Sequence, residues 1–180
     1  MIIYFTDEFA GGRDESRRLL KRALADHTGD EGRAETLIGA LKKGEHGKPY
    51  IEGFSCFSIS HTGGIWAVLV ADCECGLDIQ QSRKCDTKAI ARRWFAPEDA
   101  AKITSCDDFF RVWTRREALT KALGGTVYDT GMPEVLKGNA DIDGKRYIIS
   151  DIRIPEMPEI YAAVCLREKS ALSELSFIRL

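Results

Sequence analysis

Gly76-Leu77-Asp78-Ile79-Gln80 is the stretch of this sequence that most strongly constrains the fold. Side chains alternate between the two faces of a β-strand, so Leu77 and Ile79 share one face while Asp78 and Gln80 share the other. The alternation predicts a half-buried strand whose apolar face packs into a core. Its polar face would then present two oxygen-bearing side chains next to each other.

Trp113-Thr114-Arg115-Arg116-Glu117-Ala118-Leu119-Thr120-Lys121 lies farther along the chain, inside a predicted helix over 107–123. The apolar residues of this helix form one stripe at helical spacing: Phe109, Val112, Trp113, Leu119 and Leu123. Glu117 and Lys121 lie one turn apart on the flank of that stripe. Taken alone, they could be a surface ion pair worth about 0.2–0.5 kcal/mol. Arg116 projects into the apolar arc, so it must snorkel, pair or bind something.

Asp78, Glu117 and Lys121 together indicate a chemistry that none of them indicates alone. Carboxylates delivered by two elements are the ligands that a hard cation such as Mg²⁺ takes from protein, while water and substrate phosphate complete its shell. A lysine at the same place can neutralise charge on the phosphates. The three residues therefore predict a site where a divalent metal is held against a polyphosphate.

Length and composition narrow the class of protein. The chain has 180 residues, 44% of them hydrophobic, with a formal charge of −2 and a pI of about 6.0. These values suit one compact domain or two small, tightly fused halves. They give no general support for nucleic-acid binding. No apolar run approaches the length of a membrane span, and the N-terminus does not resemble a signal peptide, so we expect a cytoplasmic protein.

The six cysteines are scattered along the chain rather than arranged as a framework. Only Cys73 and Cys75 are close together, and neither a second pair nor a nearby histidine completes a zinc site. We therefore expect reduced, structural thiols and no bound zinc.

Hydrophobic periodicity predicts the element order β-α-β-β-β, then helices, then β-β-β. The predicted strands cover residues 1–7, 54–61, 65–71, 76–80, 147–154, 160–167 and 175–180, and the main helices cover 14–27, 89–95 and 107–123. Residues 35–43 fit a short helix or a strand equally well. This order predicts an α+β fold of two halves, each an antiparallel sheet packed against helices. We place the halves at residues 1–75 and 76–180.

Two further stretches have side chains that suit an anion. Ser58-Ile59-Ser60-His61-Thr62-Gly63-Gly64 ends a strand with hydroxyls, an imidazole and backbone N–H groups, which suit phosphate recognition. Lys48 precedes Pro49 on a rigid loop and could also face an anion. Taken alone, the first stretch could be a turn rich in small polar residues and Lys48 a solvated side chain.

Four motifs in this chain resemble, in order and spacing, the signature motifs of one enzyme family. They are Gly47-Lys48-Pro49, Phe57-Ser58-Ile59-Ser60-His61-Thr62, Gly76-Leu77-Asp78-Ile79-Gln80 and Trp113-x-x-Arg116-Glu117-Ala118-x-x-Lys121-Ala122. The family is that of the 4'-phosphopantetheinyl transferases of the surfactin-synthetase-activating (Sfp) type. The similarity spans residues 47–122, whereas the first 46 residues fit only loosely and the C-terminal third has no motif.

The resemblance implies a Mg²⁺-dependent enzyme that moves the phosphopantetheine arm of coenzyme A onto a serine of an apo acyl or peptidyl carrier protein, releasing 3',5'-ADP. It also implies a pseudo-dimer of two similar halves with the active site between them. Because both halves belong to one chain, we expect a monomer, and neither nucleic acid nor membrane is expected as a partner.

The resemblance also implies roles for individual residues. Asp78 and Glu117 would bind Mg²⁺ on the diphosphate, and Glu117 would instead, or also, deprotonate the carrier serine. Lys121 would neutralise charge on the bridging or leaving phosphate. The residues implied to bind coenzyme A are Lys48, Pro49, Ser60, His61, Thr62, Arg116 and Arg17, with Lys48, Ser60 and His61 at the 3'-phosphate.

Gln80 and Arg116 depart from the family pattern, which usually has an acid and a lysine at these two positions. An amide is a weaker Mg²⁺ ligand than a carboxylate, so we expect Gln80 to contact the metal through water or to miss it. The departures leave open a catalytically weak carrier- or nucleotide-binding protein of the same fold. A third reading is a coenzyme A hydrolase that acts on the diphosphate and needs no carrier.

Overall fold

The first part of the chain forms a sheet and a helical hairpin. The computed structural model describes residues 1–126, 131–168 and 175–180. In the first part, the elements are β1 (Ile2–Thr6), α1 (Arg13–Thr28), α2 (Glu31–Gly39), β2 (Lys42–Lys43), β3 (Pro49–Tyr50), β4 (Cys56–Thr62) and β5 (Ile65–Ala71). The ambiguous residues 35–43 thus end a helix and begin a short strand. Strands β4 and β5 form the predicted hairpin, and the left-handed backbone of Gly63 (φ 54°) turns the chain between them.

The second part begins with the strand and helix that bear the predicted site. Its elements are β6 (Cys75–Gln81), α3 (Thr87–Trp94), α4 (Pro97–Ala100), α5 (Cys106–Leu123), β7 (Asn139–Ile142), β8 (Lys145–Ile152), β9 (Ile160–Arg167) and β10 (Ser176–Arg179). Helix α5 begins at a capping box in which Ser105 and Asp108 bond each other's backbone N–H, a strong start signal. It ends at Gly124, whose φ of 71° is the left-handed geometry that glycine adopts most easily.

Two four-stranded sheets organise the molecule, one in the order β10-β1-β5-β4 and the other in the order β6-β9-β8-β7. All pairings within them are antiparallel except that of β10, which runs parallel to β1. The C-terminal strand therefore joins the sheet built by the first part of the chain. The predicted α+β class, with sheets packed against helices, is confirmed, but the first sheet is not purely antiparallel as predicted, because β10 pairs in parallel with β1.

The buried side chains form three clusters that separate four layers. Leu20 and Leu24 of α1 pack with Trp66 and Val68 on the outer face of the first sheet. A second cluster lies between the sheets and joins strands β1 and β5 to strands β6 and β9. The third lies between the second sheet and α5. The apolar face predicted for β6 is thus buried between the sheets.

Helix α5 and strand β6 approach each other most closely at Gly76. A Cβ atom at this position would lie 1.9 Å from the carbonyl oxygen of Ala118 and 2.6 Å from the backbone nitrogen of Ala122. No side chain other than hydrogen fits there, so glycine permits backbone to meet backbone. This contact brings the polar face of β6 within reach of side chains on α5.

Candidate functional site

Strands β4 and β6 are edge strands of different sheets, and hydroxyl groups join them. The hydroxyls of Ser58, Ser60 and Thr62 point to the same side of β4 because these residues alternate along the strand. They accept hydrogen bonds from every second backbone N–H of β6: Leu77 to Ser58 at 3.0 Å, Ile79 to Ser60 at 3.2 Å and Gln81 to Thr62 at 3.1 Å. This hydroxyl ladder satisfies N–H groups that an edge strand would otherwise leave unpaired.

Ser60 also belongs to a compact polar group with Asp78 and Lys121. Its hydroxyl donates to Oδ1 of Asp78 at 3.0 Å. The ammonium of Lys121 donates to the same carboxylate oxygen at 2.7 Å and to the Ser60 hydroxyl at 2.9 Å. The hydroxyl therefore uses its one proton on Asp78 and its lone pairs on Lys121 and the Ile79 N–H. Lys121 therefore forms its ion pair with Asp78 of strand β6, not with Glu117 one turn before it on α5.

The Asp78 carboxylate is buried, with 6% of the residue exposed, and only one of its oxygens is engaged. Oδ2 has no hydrogen-bond partner in the part of the chain that the structure describes. Burial raises the pKa of Asp78, and the charge of Lys121 opposes that shift. An ionised oxygen without a donor is an unfavourable arrangement in a protein interior unless a cation or a donor approaches it.

Glu117 is the second carboxylate of the site and lies on α5, one turn before Lys121. Its pKa is raised chiefly by burial and next by the negative charge of Asp78, while Lys121 and Arg116 act in the opposite direction. The two carboxylates are thus close enough to repel each other. A divalent cation between them would relieve the repulsion and give Oδ2 of Asp78 a partner.

Lys48 contacts the start of β6, three residues before Asp78. Its ammonium donates to the carbonyl of Cys75 at 2.9 Å and to that of Ala122 at 3.5 Å, so it ties its loop to the start of β6 and the end of α5. Lys48 and Pro49 line a cavity of about 710 Å³, together with Leu123 and residues of the second sheet. Asp78 and Glu117 are not among the residues that line this cavity.

His61, Thr62 and Gln80 surround the end of the ladder. His61 is exposed on the face of β4 opposite Ser60, and its ring centroid lies 5.3 Å from that of Phe9. Thr62 is buried, and its hydroxyl lies 3.4 Å from the side-chain nitrogen of Gln80. That nitrogen also donates to the carbonyl of Gln81 at 3.0 Å. The amide of Gln80 is therefore engaged with the ladder next to Asp78.

The two arginines assigned to coenzyme A binding are held by backbone carbonyls. Arg116 is 2% exposed and donates to the carbonyl of Gly131. Burial lowers its pKa, and the charges of Glu117 and Asp99 oppose the shift. Arg17 donates to the carbonyl of Ile38 at 2.8 Å, which holds it against α2. The structure thus groups Ser60, Asp78, Glu117 and Lys121. By contrast, Arg17 is bonded to α2 and Arg116 to the carbonyl of Gly131, beyond the end of α5.

Sequence reasoning missed two contributors to this geometry. Ser58 anchors the ladder one pair away from Ser60, and Gly76 sets the separation of strand and helix. The alternation of hydroxyls at positions 58, 60 and 62 could have indicated the ladder, since it leaves three hydroxyls on one face of a strand. The described residues contain no group of three or more His, Cys, Asp or Glu side chains arranged to hold a metal, and no disulfide joins the six cysteines, all of which are described.

Asp78, Glu117 and Lys121 lie in a part of the chain that is similar to known proteins. Residues 74–154 match the model of the 4'-phosphopantetheinyl transferase superfamily. A protein named 4'-phosphopantetheinyl transferase gsp, from Aneurinibacillus migulanus, is 29% identical over 94 residues, which are 49% of this chain and 39% of that protein.

Two proteins named 4'-phosphopantetheinyl transferase AcpT are also similar. The one from Salmonella typhi is 30% identical over 119 residues, covering 58% of this chain and 62% of its own length. The one from Escherichia coli K12 is 31% identical over 127 residues, covering 65% of this chain and 62% of its own length. The chain thus spans less than two thirds of each of these relatives. Strand β6 and helix α5, which supply Asp78, Glu117 and Lys121, lie within residues 74–154 and thus in the region that is similar to phosphopantetheinyl transferases.

In the described residues, no helix is long and apolar enough to cross a membrane.

Proposed function

We propose that this chain transfers the 4'-phosphopantetheine group of coenzyme A to a serine of an apo acyl or peptidyl carrier protein and releases 3',5'-ADP. One observation supports the proposal most directly. Asp78 is buried with one oxygen held by Lys121 and Ser60 and the other without a partner in the described part of the chain. A carboxylate fixed in this way, beside a second carboxylate and a lysine, suits the binding of a metal-bound diphosphate.

Asp78 and Glu117 are the proposed ligands of Mg²⁺, with Gln80 contacting it through water. The donor set fits this ion, because Mg²⁺ commonly takes one or two protein carboxylates and completes its shell with waters and substrate phosphates. When bound, the ion would supply positive charge at the diphosphate. The mutual repulsion of Asp78 and Glu117 and the unpartnered oxygen of Asp78 support a cation at this position.

Two groups on α5 would then act on the reacting atoms. The serine oxygen of the carrier attacks the phosphorus that bears the pantetheine, the bond from this phosphorus to the 3',5'-ADP oxygen breaks, and the serine proton passes to Glu117. Burial raises the pKa of Glu117, which makes it a stronger base than an exposed carboxylate. The ammonium of Lys121 would donate to the departing phosphate oxygen and neutralise its charge.

The remaining contacts to coenzyme A are proposed for Lys48, Pro49, Ser60, His61, Thr62, Arg116 and Arg17, with Ser60 acting through Lys121, to which its hydroxyl is bonded. Lys48 and Pro49 line the cavity described above, and His61 is exposed at the end of β4. We further propose the Sfp type and two similar halves, residues 1–75 and 76–180, acting as a cytoplasmic monomer. The two four-stranded sheets, each packed against helices, support two halves, although β10 of the second half belongs to the first sheet.

The test is incubation with coenzyme A, Mg²⁺ and a panel of apo-carrier proteins, followed by mass measurement of the carriers. Asp78→Asn and Glu117→Gln should each lower kcat/KM by at least ~100-fold, because electrostatic contacts of this kind are worth roughly 3–4 kcal/mol in a transition state. Asp72→Asn, at an exposed turn before β6, is the matched control and should retain turnover. Near-normal turnover in either site variant would contradict the assignment, and carrier binding without turnover in the wild type would favour the binding-protein alternative.

A further inference from the structure

Three of the six cysteines lie close together where the two sheets meet. Cys56 begins strand β4, Cys75 begins strand β6, and Cys73 lies in the connection that leads into β6. Cys75 is fully buried in the cluster between the sheets, and Cys56 and Cys73 pack against that cluster. The fold thus brings Cys56 to the two cysteines that are already close in sequence.

The connection from β5 to β6 crosses the start of β4, where Cys56 lies. On one side, Cys56 pairs with Ala71, the last residue of β5. On the other side, the hydroxyl ladder joins Ser58 to Leu77, and one further step of the same spacing aligns Cys56 with Cys75. The chain therefore passes from one side of Cys56 to the other between these two positions.

Cys73 lies in the middle of this crossing, because residues 72–74 bend between the two strands. Burial raises the pKa of Cys75 to about 12, Lys48 opposes the rise, and the thiols of Cys56 and Cys73 add to it. Both thiols therefore lie near that of Cys75, which itself stays protonated. Cys56 and Cys73 are partly exposed, so they are the members of the group that can react.

Cys56 also lies where a small oxidant can reach it. It lines the cavity of about 710 Å³, together with Lys48, Glu74 and Lys145. Reactive cysteines are typically partly exposed and close to positive charge, and Cys56 meets both conditions. A partner cysteine on a bending connection lets the two sulfur atoms approach each other, as a disulfide requires.

We propose that Cys56 and Cys73 are a thiol pair that a hydroperoxide oxidises to a disulfide. The thiolate of Cys56 attacks one oxygen of the hydroperoxide and becomes a sulfenic acid as the O–O bond breaks. The thiolate of Cys73 then attacks the sulfur of Cys56, so that an S–S bond forms, the S–O bond breaks and the oxygen leaves as water. Overall, two thiols and one hydrogen peroxide give one disulfide and two molecules of water.

The disulfide would fix the connection that bears Glu74. The carboxylate of Glu74 accepts hydrogen bonds from Lys145 at 3.0 Å and from the hydroxyl of Tyr147 at 2.6 Å, both on β8. Oxidation would thus stiffen one wall of the cavity. It would also close the β4–β5 hairpin into a covalent loop, which stabilises the folded state by restricting the unfolded chain. Neither step involves coenzyme A or a carrier protein.

The experiment treats the folded protein with a small molar excess of hydrogen peroxide, unfolds it, blocks the remaining thiols with iodoacetamide and maps the cysteines by mass. Cleavage after glutamate, lysine and arginine leaves Cys56 and Cys73 together in residues 53–74 and Cys75 alone in residues 75–83. The peptide of residues 53–74 should lack iodoacetamide and weigh less than its reduced form by two hydrogen atoms. Dithiothreitol should reverse the change, and the midpoint of urea unfolding should be higher for the oxidised protein.

Three single variants separate the pair from other thiols. Cys56→Ser should abolish the change, and Cys73→Ser, outside the strands, repeats the test in case the first variant destabilises β4. Cys106→Ser removes an exposed cysteine at the start of α5 and is the matched control, so it should form the disulfide as readily as wild type.

The mass map also shows the results that would overturn the proposal. A cross-link between residues 53–74 and 75–83 would place Cys75 in the bond and contradict the pairing. Oxidation of Cys106 or Cys85 while Cys56 and Cys73 stay reduced would contradict their reactivity. A sulfinic acid at Cys56 without a disulfide would show that Cys73 does not reach it.

Discussion

Ser60→Ala should destabilise the protein more than Ser58→Ala, although each substitution removes one hydroxyl from the same face of the same buried strand. Both hydroxyls accept one N–H of β6, from Ile79 and Leu77 respectively. Only Ser60 also donates to Asp78 and accepts from Lys121. Ser58→Ala is therefore a matched control that isolates the contacts with the charged pair.

The magnitude follows from the bonds that each variant loses. A buried N–H left without its acceptor costs about 1–3 kcal/mol, and both variants incur this loss. A hydrogen bond to a charged group contributes about 1.5–3 kcal/mol, and only Ser60→Ala removes one from Asp78, while Lys121 keeps its own bond to that carboxylate. The free energy of unfolding of Ser60→Ala should therefore lie about 1.5–3 kcal/mol below that of Ser58→Ala at neutral pH.

The difference between the two variants should depend on pH. Burial raises the pKa of Asp78 above its unfolded value, and the Ser60 hydrogen bond partly opposes this rise. Removing the bond raises the folded pKa further. For an acid with a raised folded pKa, stability is present below the unfolded pKa, near 3.9, and is lost as pH rises through the folded pKa. The additional destabilisation in Ser60→Ala should therefore grow from mildly acidic to neutral pH.

The assay is urea unfolding of wild type and both variants at a series of pH values, followed by circular dichroism. The slope m should be the same for all three proteins, which shows that the variants change stability and not the surface exposed on unfolding. Equal losses of stability in the two variants at every pH would refute the reasoning. In that case the Ser60 hydroxyl would not hold the carboxylate of Asp78.

Two other predictions concern the proposed ligand contacts. Gln80→Ala should reduce activity far less than Asp78→Ala, and Gln80→Glu should be tolerated with a lower Mg²⁺ requirement, because a carboxylate is a stronger ligand than an amide; titrating Mg²⁺ in the transfer assay checks both, and equal damage from the two alanine variants would make Gln80 a direct participant. Lys48→Ala should shrink the preference for coenzyme A over its 3'-dephospho form, by about tenfold if one charge-assisted contact is lost. Comparing kcat/KM for the two substrates measures this, and an unchanged ratio would place Lys48 away from the 3'-phosphate.

Local patterns predicted the elements that bear the site and missed the contacts that depend on distant parts of the chain. The alternation at 76–80 and the helical spacing at 107–123 correspond to β6 and α5 within two residues. The sequence spacing suggested a pair between Glu117 and Lys121, but Lys121 bonds Asp78. Only the close packing of helix on strand makes that partner available, and no local pattern encodes it.

For Arg116 and β10, too, the sequence predicted the local feature but not its partner. The position of Arg116 in an apolar arc predicted that it must snorkel, pair or bind, and the structure shows it donating to the carbonyl of Gly131. Which carbonyl it meets depends on the path of the chain beyond α5. Strand β10 was predicted as a strand, but its parallel pairing with β1 joins residues far apart in sequence, and strand propensity carries no information about such a partner.

The backbone contact at Gly76 has a consequence for how this site can change over time or by design. Where side chains separate two elements, exchanging a large residue for a small one shifts them and alters the gap between the groups that they bear. Here main-chain atoms already touch, so no substitution at Gly76 can bring Asp78 and Lys121 closer together. A larger residue at Gly76 would clash with the backbone of α5. New specificity would therefore have to arise from other residues around the site, while the spacing of the charged groups stays constant.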